Sequence, residues 1–409
     1  MPLKSVYNGK KEIKSTIKNE SAFKRSEFFF LDNNSTTPIL PEVKKTMEEF
    51  YFDNYANTSS NHKFGMRAKE SLETSRAKMA SYIGAAPQEV IFTSGASESL
   101  NLAIFGQPFL ACENCKGKVV VTAASEHHAS LYPVLELKKY GAEVIVLNPD
   151  SEGIISPADF EKSTANYEKI DFTSIMMVNN ETGVIQPIKE LARIAKSKGS
   201  IFLCDCVQAF GKLPINVSEL GIDMLALSAH KFYGPKGTGI LYIKRGTKLN
   251  PRILGGSHEF GMRAGTVNTQ AIAGMETAAR LAISEFEHRN NHYLELRNYL
   301  YKNFEIFKNK NIEIKYNSPK NNSVASTINV SFKNTPAETL LEYLSEKNIM
   351  VSAGSACNSK KGATMSHVIS AMNVPFEFGM GALRISLGIY NETYDIDRLT
   401  ESILEFYQK

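Results

Sequence analysis

The sequence predicts an α/β protein: a large unit on a mostly parallel sheet flanked by helices, followed by a smaller C-terminal α/β unit. Three observations predict it. Strand-like and helix-like segments alternate from about residue 88 to 245, which builds a parallel sheet covered on both faces. The chain has 409 residues, 43% of them hydrophobic, enough for one two-lobed unit or two domains. A long amphipathic helical stretch over residues 270–310 then leads into a second mixture of strands and helices.

The elements read in order as follows. Val90–Thr93 is strand-like and Glu98–Phe105 helical. Val119–Val121 is a strand, and His128–Tyr140 a helix stopped by Gly141. Val144–Leu147 and Ser174–Val178 are strands. Ile188–Lys198 is a helix with Ile188, Leu191, Ile194 and Ala195 on one face and Gly199 as its stop. Ile201–Cys204, Asp223–Ser228 and Gly239–Ile243 are short apolar runs of buried-strand type. Beyond the linking helices come a strand over Ser326–Phe332, a helix over Glu338–Asn348 and a closing helix over Leu399–Tyr407. The domain organisation expected is an N-terminal extension over 1–26, flexible or partly helical, a large domain over 42–285, and a small domain from 27–41 and 286–409.

Composition excludes several classes. Forty-seven basic and 43 acidic residues are interspersed, for a net charge of +4, which argues against direct nucleic-acid binding as the main function. No apolar stretch approaches the roughly 18 residues of a membrane span. The first 26 residues are rich in Lys, Asn and Ser and lack the apolar core of a secretory signal. Cys112, Cys115, Cys204, Cys206 and Cys357 are an odd, sparse set, as expected for thiols in a reducing, cytoplasmic setting. Cys112 and Cys115 form one CxxC without a second pair, placed in an exposed loop, so no metal site is expected. Cys204 and Cys206 flank Asp205 and share the opposite face of an extended strand, as packing residues.

Lys231 is the most informative residue. It follows Leu227-Ser228-Ala229-His230, lies between two buried strands, and is surrounded by Gly and Pro. Burial disfavours the ammonium form, which makes the amine available for a Schiff base. Other candidates fall at strand C-termini, where open α/β sheets place their ligands. Ser94-Gly95-Ala96-Ser97 opens a helix and can seat a phosphate on free N–H groups, or Ser97 is a plain N-cap. Asp205, just past a strand, can hold a ring nitrogen protonated, or cap a helix. His127 can stack on a flat ring and move protons, although a lone His is more often structural. Asn179-Asn180-Glu181-Thr182-Gly183 offers an amide, or simply a turn. Together these are the parts of a pyridoxal-phosphate site.

Seven ordered stretches carry a resemblance: Leu31–Pro38, Phe92–Ser99, Val178–Gly183, Ser228–Lys231, Gly261–Thr266, Ser352–Cys357 and Leu383–Gly388. On these the chain closely resembles the NifS/IscS-type cysteine desulfurases, in the class V aminotransferase group of fold-type I pyridoxal-phosphate enzymes, from about Leu31 to Leu404. Ser97 stands where that family often has Thr, Ile389 where an Arg is common, and Phe260 where a basic residue is frequent.

The resemblance implies a set of roles. Lys231 would bind the cofactor covalently and move protons, Asp205 would pair with the ring nitrogen, Gln208 would reach the ring hydroxyl, and His127 would stack over the ring. Ala96, Ser97, Ser228 and His230 would seat the phosphate, and Thr266 would reach the phosphate of a neighbouring subunit in a homodimer. Asn180, beside the cofactor, and Arg384 would hold the substrate carboxylate. Cys357 would take the sulfur of L-cysteine as a persulfide, leaving L-alanine. Lys360 and Lys361 beside it favour its thiolate. The persulfide would pass to an acceptor protein, an iron–sulfur scaffold or a tRNA-thiolation enzyme. The alternatives are a selenocysteine lyase or aminotransferase on the same fold, or a non-catalytic scaffold.

Overall fold

The structure is a computed structural model that describes residues 28–110, 115–354 and 365–408. The N-terminal extension, Cys112 and Cys357 lie outside these residues.

Twelve strands are present among them. They are β1 (Phe29–Phe30), β2 (Val90–Thr93), β3 (Val119–Ala123), β4 (Glu143–Leu147), β5 (Phe172–Ser174), β6 (Ile201–Asp205), β7 (Met224–Ser228), β8 (Gly239–Ile243), β9 (Ile314–Tyr316), β10 (Thr327–Phe332), β11 (Ile349–Met350) and β12 (Ala382–Ser386). Seven of them form the main sheet in the order β2-β8-β7-β6-β5-β3-β4. Its strands run parallel except for β8, which is antiparallel to both neighbours. The predicted α/β class and mostly parallel sheet are therefore observed.

The sheet is buried on both faces, and its sequence shows why. Side chains alternate across a strand. Cys204, Leu225, Leu227, Ile240 and Phe92 enter one hydrophobic core, while Leu203, Met224, Ala226, Leu241 and Ile91 enter the other. Apart from β5, whose Thr173 and Ser174 are buried polar residues, and the part-exposed edge strand β4, the strands read as nearly continuous apolar runs.

Helices cover both faces. The helix predicted to start at Glu98 starts at Ala96, and Gly95 with φ 148° is its N-cap, so Ser97 lies inside the first turn rather than capping it. The helix predicted to end at Tyr140 is α-helical only over His128–Glu136 and tightens to a 3-10 turn through Tyr140 before Gly141. Pro133, inside it, cannot donate to the preceding turn. The predicted strand over Ser174–Val178 shifts upstream to β5, but Ile175 and Met177 still donate to Leu203 O and Asp205 O.

Residues 270–310 divide into helices Thr269–Ser284, Phe286–Phe304 and Ile306–Asn309. Beyond them, β12-β10-β9 form a three-stranded antiparallel sheet, and helices Ala337–Glu346 and Thr393–Gln408, packed on each other, share its hydrophobic core through Leu340, Leu344, Leu399 and Ile403. The segment before the large sheet returns to this C-terminal part: β1 pairs in parallel with β11, and Asp32 bridges Ser386. Cys115 is fully buried, contrary to the exposed loop expected, because it closes against the Tyr140 turn and packs beneath β3. Among the described residues no helix is long and apolar enough to cross a membrane.

Candidate active site

The C-terminal ends of β6 and β7 stand side by side, with Asp205 in register with Ala226. Asp205 is the last residue of β6, and Ser228 ends β7 two positions beyond Ala226. A 3-10 turn over Ala229–Lys231 then lifts Lys231 out of the sheet plane. These residues face a cavity of about 540 Å³, whose wall also carries Ala96, Ser97, His127, Asn180, Gln208, His230 and Arg384. Of the residues singled out in the sequence, the fold brings these together. Thr266 is exposed and lies on a separate small cleft with Thr93, Arg263 and Glu259.

Lys231 Nζ donates to the carbonyls of Asn34 and Ser35 at 2.6 and 2.7 Å. Burial, reinforced by the Arg384 guanidinium, pulls its ammonium down to about 8. The cause is the general one: a charged amine loses hydration inside the protein and meets a like charge. Burial pushes the Asp205 carboxyl up to about 6, although the Val207 N–H donates to its Oδ1 at 2.9 Å.

His127 caps the helix that begins at His128, and its Nδ1 accepts the Ala129 N–H at 3.1 Å. That bond fixes the neutral ring with its proton on Nε2. Burial and the nearby Lys231 hold His127 down at about 4. Burial and Lys231 do the same to His230, whose Nδ1 is 3.1 Å from Thr36 Oγ1.

The start of the Ala96–Phe105 helix reaches the cavity because two glycines let backbones meet. A Cβ on Gly239 would fall 2.4 Å from Leu227 O and 2.8 Å from Gly95 Cα. A bare backbone at Gly239 and the φ of 148° at Gly95, which favours glycine, bring the helix N-terminus beside Ser228, and its orphan N–H groups form an anion seat.

The far wall is built from β12 and the Asn179–Gly183 turn. Asn179 Oδ1 accepts the N–H groups of Glu181 and Thr182, so the turn reading of this motif is observed together with its placement at the cavity. Asn180 Oδ1 and Arg384 Nε are buried without a partner. Arg384 Nη2 pairs with Asp32 Oδ1 at 2.6 Å, and Nη1 donates to Asn180 O at 3.1 Å.

Sequence reasoning missed the parts played by four residues. Asn34 and Ser35 act through their carbonyls, which side-chain motifs do not reveal. Glu126 is fully buried and accepts the Met176 N–H at 2.7 Å, with burial pushing its carboxyl well up. Lys212 donates to Gln208 Oε1, and its spacing of four residues was the available signal.

The aminotransferase class-V family model matches residues 29–399, and the chain belongs to that family. It is 43% identical over 377 residues to the cysteine desulfurase IscS of Dictyoglomus turgidum, covering 92% of this chain and 93% of the relative. The IscS of Methanosarcina thermophila is 39% identical over 390 residues, 95% and 94% of the two chains. Among solved structures, a NifS-like protein superposes with a TM-score of 0.85 at 34% identity, over 93% of this chain and 99% of that one. A structure of SspA in complex with cysteine gives 0.76 at 34% identity, over 89% and 99%. Its homologues within the family are thus cysteine desulfurases of the IscS and NifS type, and membership implies the use of pyridoxal phosphate.

Proposed function

We propose that this chain is a pyridoxal-phosphate-dependent cysteine desulfurase that takes sulfur from L-cysteine onto Cys357 and releases L-alanine. The observation that carries the reading is the meeting of Lys231 and Asp205 at adjacent strand ends on one cavity.

The residues present fit the cofactor. The N-terminus of the Ala96–Phe105 helix, with Ser97, Ser228 and His230, would hold the phosphate. Asp205 would face the ring nitrogen, His127 the ring plane and Gln208 the ring oxygen. The unpartnered Asn180 Oδ1 and Arg384 Nε lack the contacts that a bound molecule supplies. When bound, pyridoxal phosphate supplies an electron-withdrawing ring that makes the α-proton of an amino acid removable.

The chain's own groups do the rest. Lys231, whose ammonium is lowered to about 8 and so yields its proton more readily than an ordinary lysine, would hold the cofactor carbonyl and would move the proton at the substrate α-carbon. Arg384 and Asn180 hold the substrate carboxylate. His127, neutral with its proton on Nε2 and on the cavity wall, would exchange a proton with the substrate. The Cys357 thiolate attacks the substrate sulfur: a sulfur–sulfur bond forms, the carbon–sulfur bond breaks, and the carbon takes a proton. The products are a Cys357 persulfide and L-alanine, and the persulfide passes to an iron–sulfur scaffold or a tRNA-thiolation enzyme.

Thr266, exposed and off the cavity of its own chain, would serve the phosphate of a second copy in a homodimer. Phe52 and Leu254 are exposed apolar side chains that a second copy would be able to cover. A cytoplasmic location suits Cys204 and Cys206, which are free thiols.

The test is sulfide and alanine release from L-cysteine with a reductant, for wild type and Cys357→Ala, with the absorption spectrum recorded. Equal sulfide and alanine from wild type, both lost in the variant while the cofactor band persists, is the expected result. Turnover that survives loss of Cys357 would move the protein to the lyase or aminotransferase reading.

A further inference from the structure

Lys212 is a cation behind the cavity wall that the roles above leave unused. Gln208 and Asn34 line the cavity, whereas Lys212 stands behind them. Its Nζ donates to Gln208 Oε1 at 2.9 Å and to Asn34 Oδ1 at 3.2 Å.

A side-chain amide has an acceptor end and a donor end, and its environment decides which way round it sits. Lys212 engages the acceptor end of both amides. The donor end of Gln208 is thereby turned the other way, and Nε2 donates to Asn34 O at 3.0 Å. That carbonyl is the one that receives Lys231 Nζ. Asn34 is fixed from its other end, with Nδ2 donating to Thr327 Oγ1 at 2.8 Å and to Asn180 O at 3.2 Å. One lysine therefore sets the orientation of two amides and, through Asn34, borders the acceptor of the reactive amine. Burial pulls the Lys212 ammonium down to about 7. Both contacts survive its titration, because a neutral amine keeps two N–H donors.

We infer that Lys212 is a positioning residue for the cofactor ring: it locks Gln208 with its NH₂ end available to the anionic ring oxygen of pyridoxal phosphate. Without that lock the amide is free to turn its own oxygen toward the ring oxygen, and two acceptors would then oppose each other. The inference rests on the pyridoxal-phosphate reading of the cavity.

The experiment measures the affinity of cofactor-stripped protein for pyridoxal phosphate by equilibrium dialysis, for wild type, Lys212→Met, Gln208→Ala and the double variant. The visible band of each loaded protein is recorded as well. Loss of one hydrogen bond to a charged group corresponds to about tenfold weaker binding, and Lys212→Met should show that loss together with a displaced band. The double variant should bind no more weakly than Gln208→Ala, since the lysine acts through the amide. Wild-type affinity and band in Lys212→Met, with only thermal stability changed, would overturn the inference, as would independent, multiplying losses in the double variant. Should Lys212→Met not fold, Lys212→Gln enters the same cycle, with weaker affinity expected and wild-type affinity counting against the proposal. A wild-type protein that develops no visible band with pyridoxal phosphate would overturn the reading of the cavity and this inference with it. A normal wild-type band beside an unchanged Lys212→Met overturns this inference alone.

Discussion

Arg384 and Asp32 form a 2.6 Å ion pair at the cavity, the guanidinium nearly fully buried and the carboxylate partly open to solvent. A guanidinium holds its N–H groups in one rigid plane. Here Nη2 faces Asp32, Nη1 faces Asn180 O, and Nε has no partner. An arriving carboxylate would therefore compete with Asp32 for Nη2, beside a buried Nε that has no partner of its own. Arg384→Lys keeps the charge and loses the fork. It should raise KM for L-cysteine about 10–100-fold with a smaller effect on kcat, the signature of lost ground-state binding. Steady-state alanine release measures both, and an unchanged KM would remove Arg384 from substrate recognition.

Asp205 gives a prediction about stability. Its folded value of about 6 lies above the ordinary 3.8. The protonated form is therefore favoured by folding, so its stabilising contribution is full below pH 3.8 and is lost as pH rises through 6. At pH 8 the cofactor-free protein carries a buried carboxylate at a cost on the order of 2–3 kcal/mol. Cofactor-free Asp205→Asn should consequently be more stable than wild type at pH 8, with the gap closing toward pH 4. Urea unfolding at both values decides it, and a gap that widens on acidification would contradict the burial argument.

These two residues also mark what the sequence could disclose. Asp205, Ser228 and Lys231 were legible because each sits at the end of a short apolar run, a signal that spans only a few neighbours. The N-terminus beside Ser97 was legible for the same reason. Asn34 was not, because its role arises from contacts nearly 180 residues away in the chain, made in part through a backbone carbonyl. Lys212 was legible only as a lysine four residues beyond Gln208, and its second contact, to Asn34, lies outside any local pattern. The antiparallel direction of β8 was hidden likewise, since an apolar run has no polarity of its own. Cys115 was misplaced because a CxxC between two elements looks like a loop until the Tyr140 turn closes over it.

Gly354 lies three residues before Cys357, the proposed sulfur acceptor, which itself lies outside the described residues. Its φ is +89°, and a Cβ there would sit 2.7 Å from Glu181 Oε2. The same oxygen accepts the Ser366 hydroxyl at 2.5 Å, so one buried carboxylate holds Ser366 and leaves no room for a side chain at Gly354, on the two sides of 355–364. Gly354→Ala combines backbone strain with that clash, each on the order of 1 kcal/mol or more. The expected outcome is a several-fold loss of sulfide release with cofactor binding retained. Equal sulfide release would show that the space kept at Gly354 does not govern the reaction.

The Arg76–Glu259 pair should be the most costly surface-to-core tie to cut. Both side chains are 2% exposed, with Nη1 and Oε2 2.6 Å apart. Glu259 also accepts the Phe92 N–H at 2.7 Å, and Arg76 donates to Val90 O at 2.9 Å, so the pair clamps β2 to the loop that carries Arg263 and Thr266. Glu259 and Phe260 hold left-handed backbone at φ 48° and 56°, a conformation that persists only where surrounding contacts enforce it. Glu259→Ala strands a buried guanidinium, eased only partly by Glu73 at 3.0 Å, and should cost about 3–5 kcal/mol. Replacing both partners, as Arg76→Met with Glu259→Leu, removes the stranded charge and should recover much of that loss. Urea midpoints of the two singles and the double form the test. Additive losses would mean that the pair contributes through its separate backbone contacts rather than through its charges.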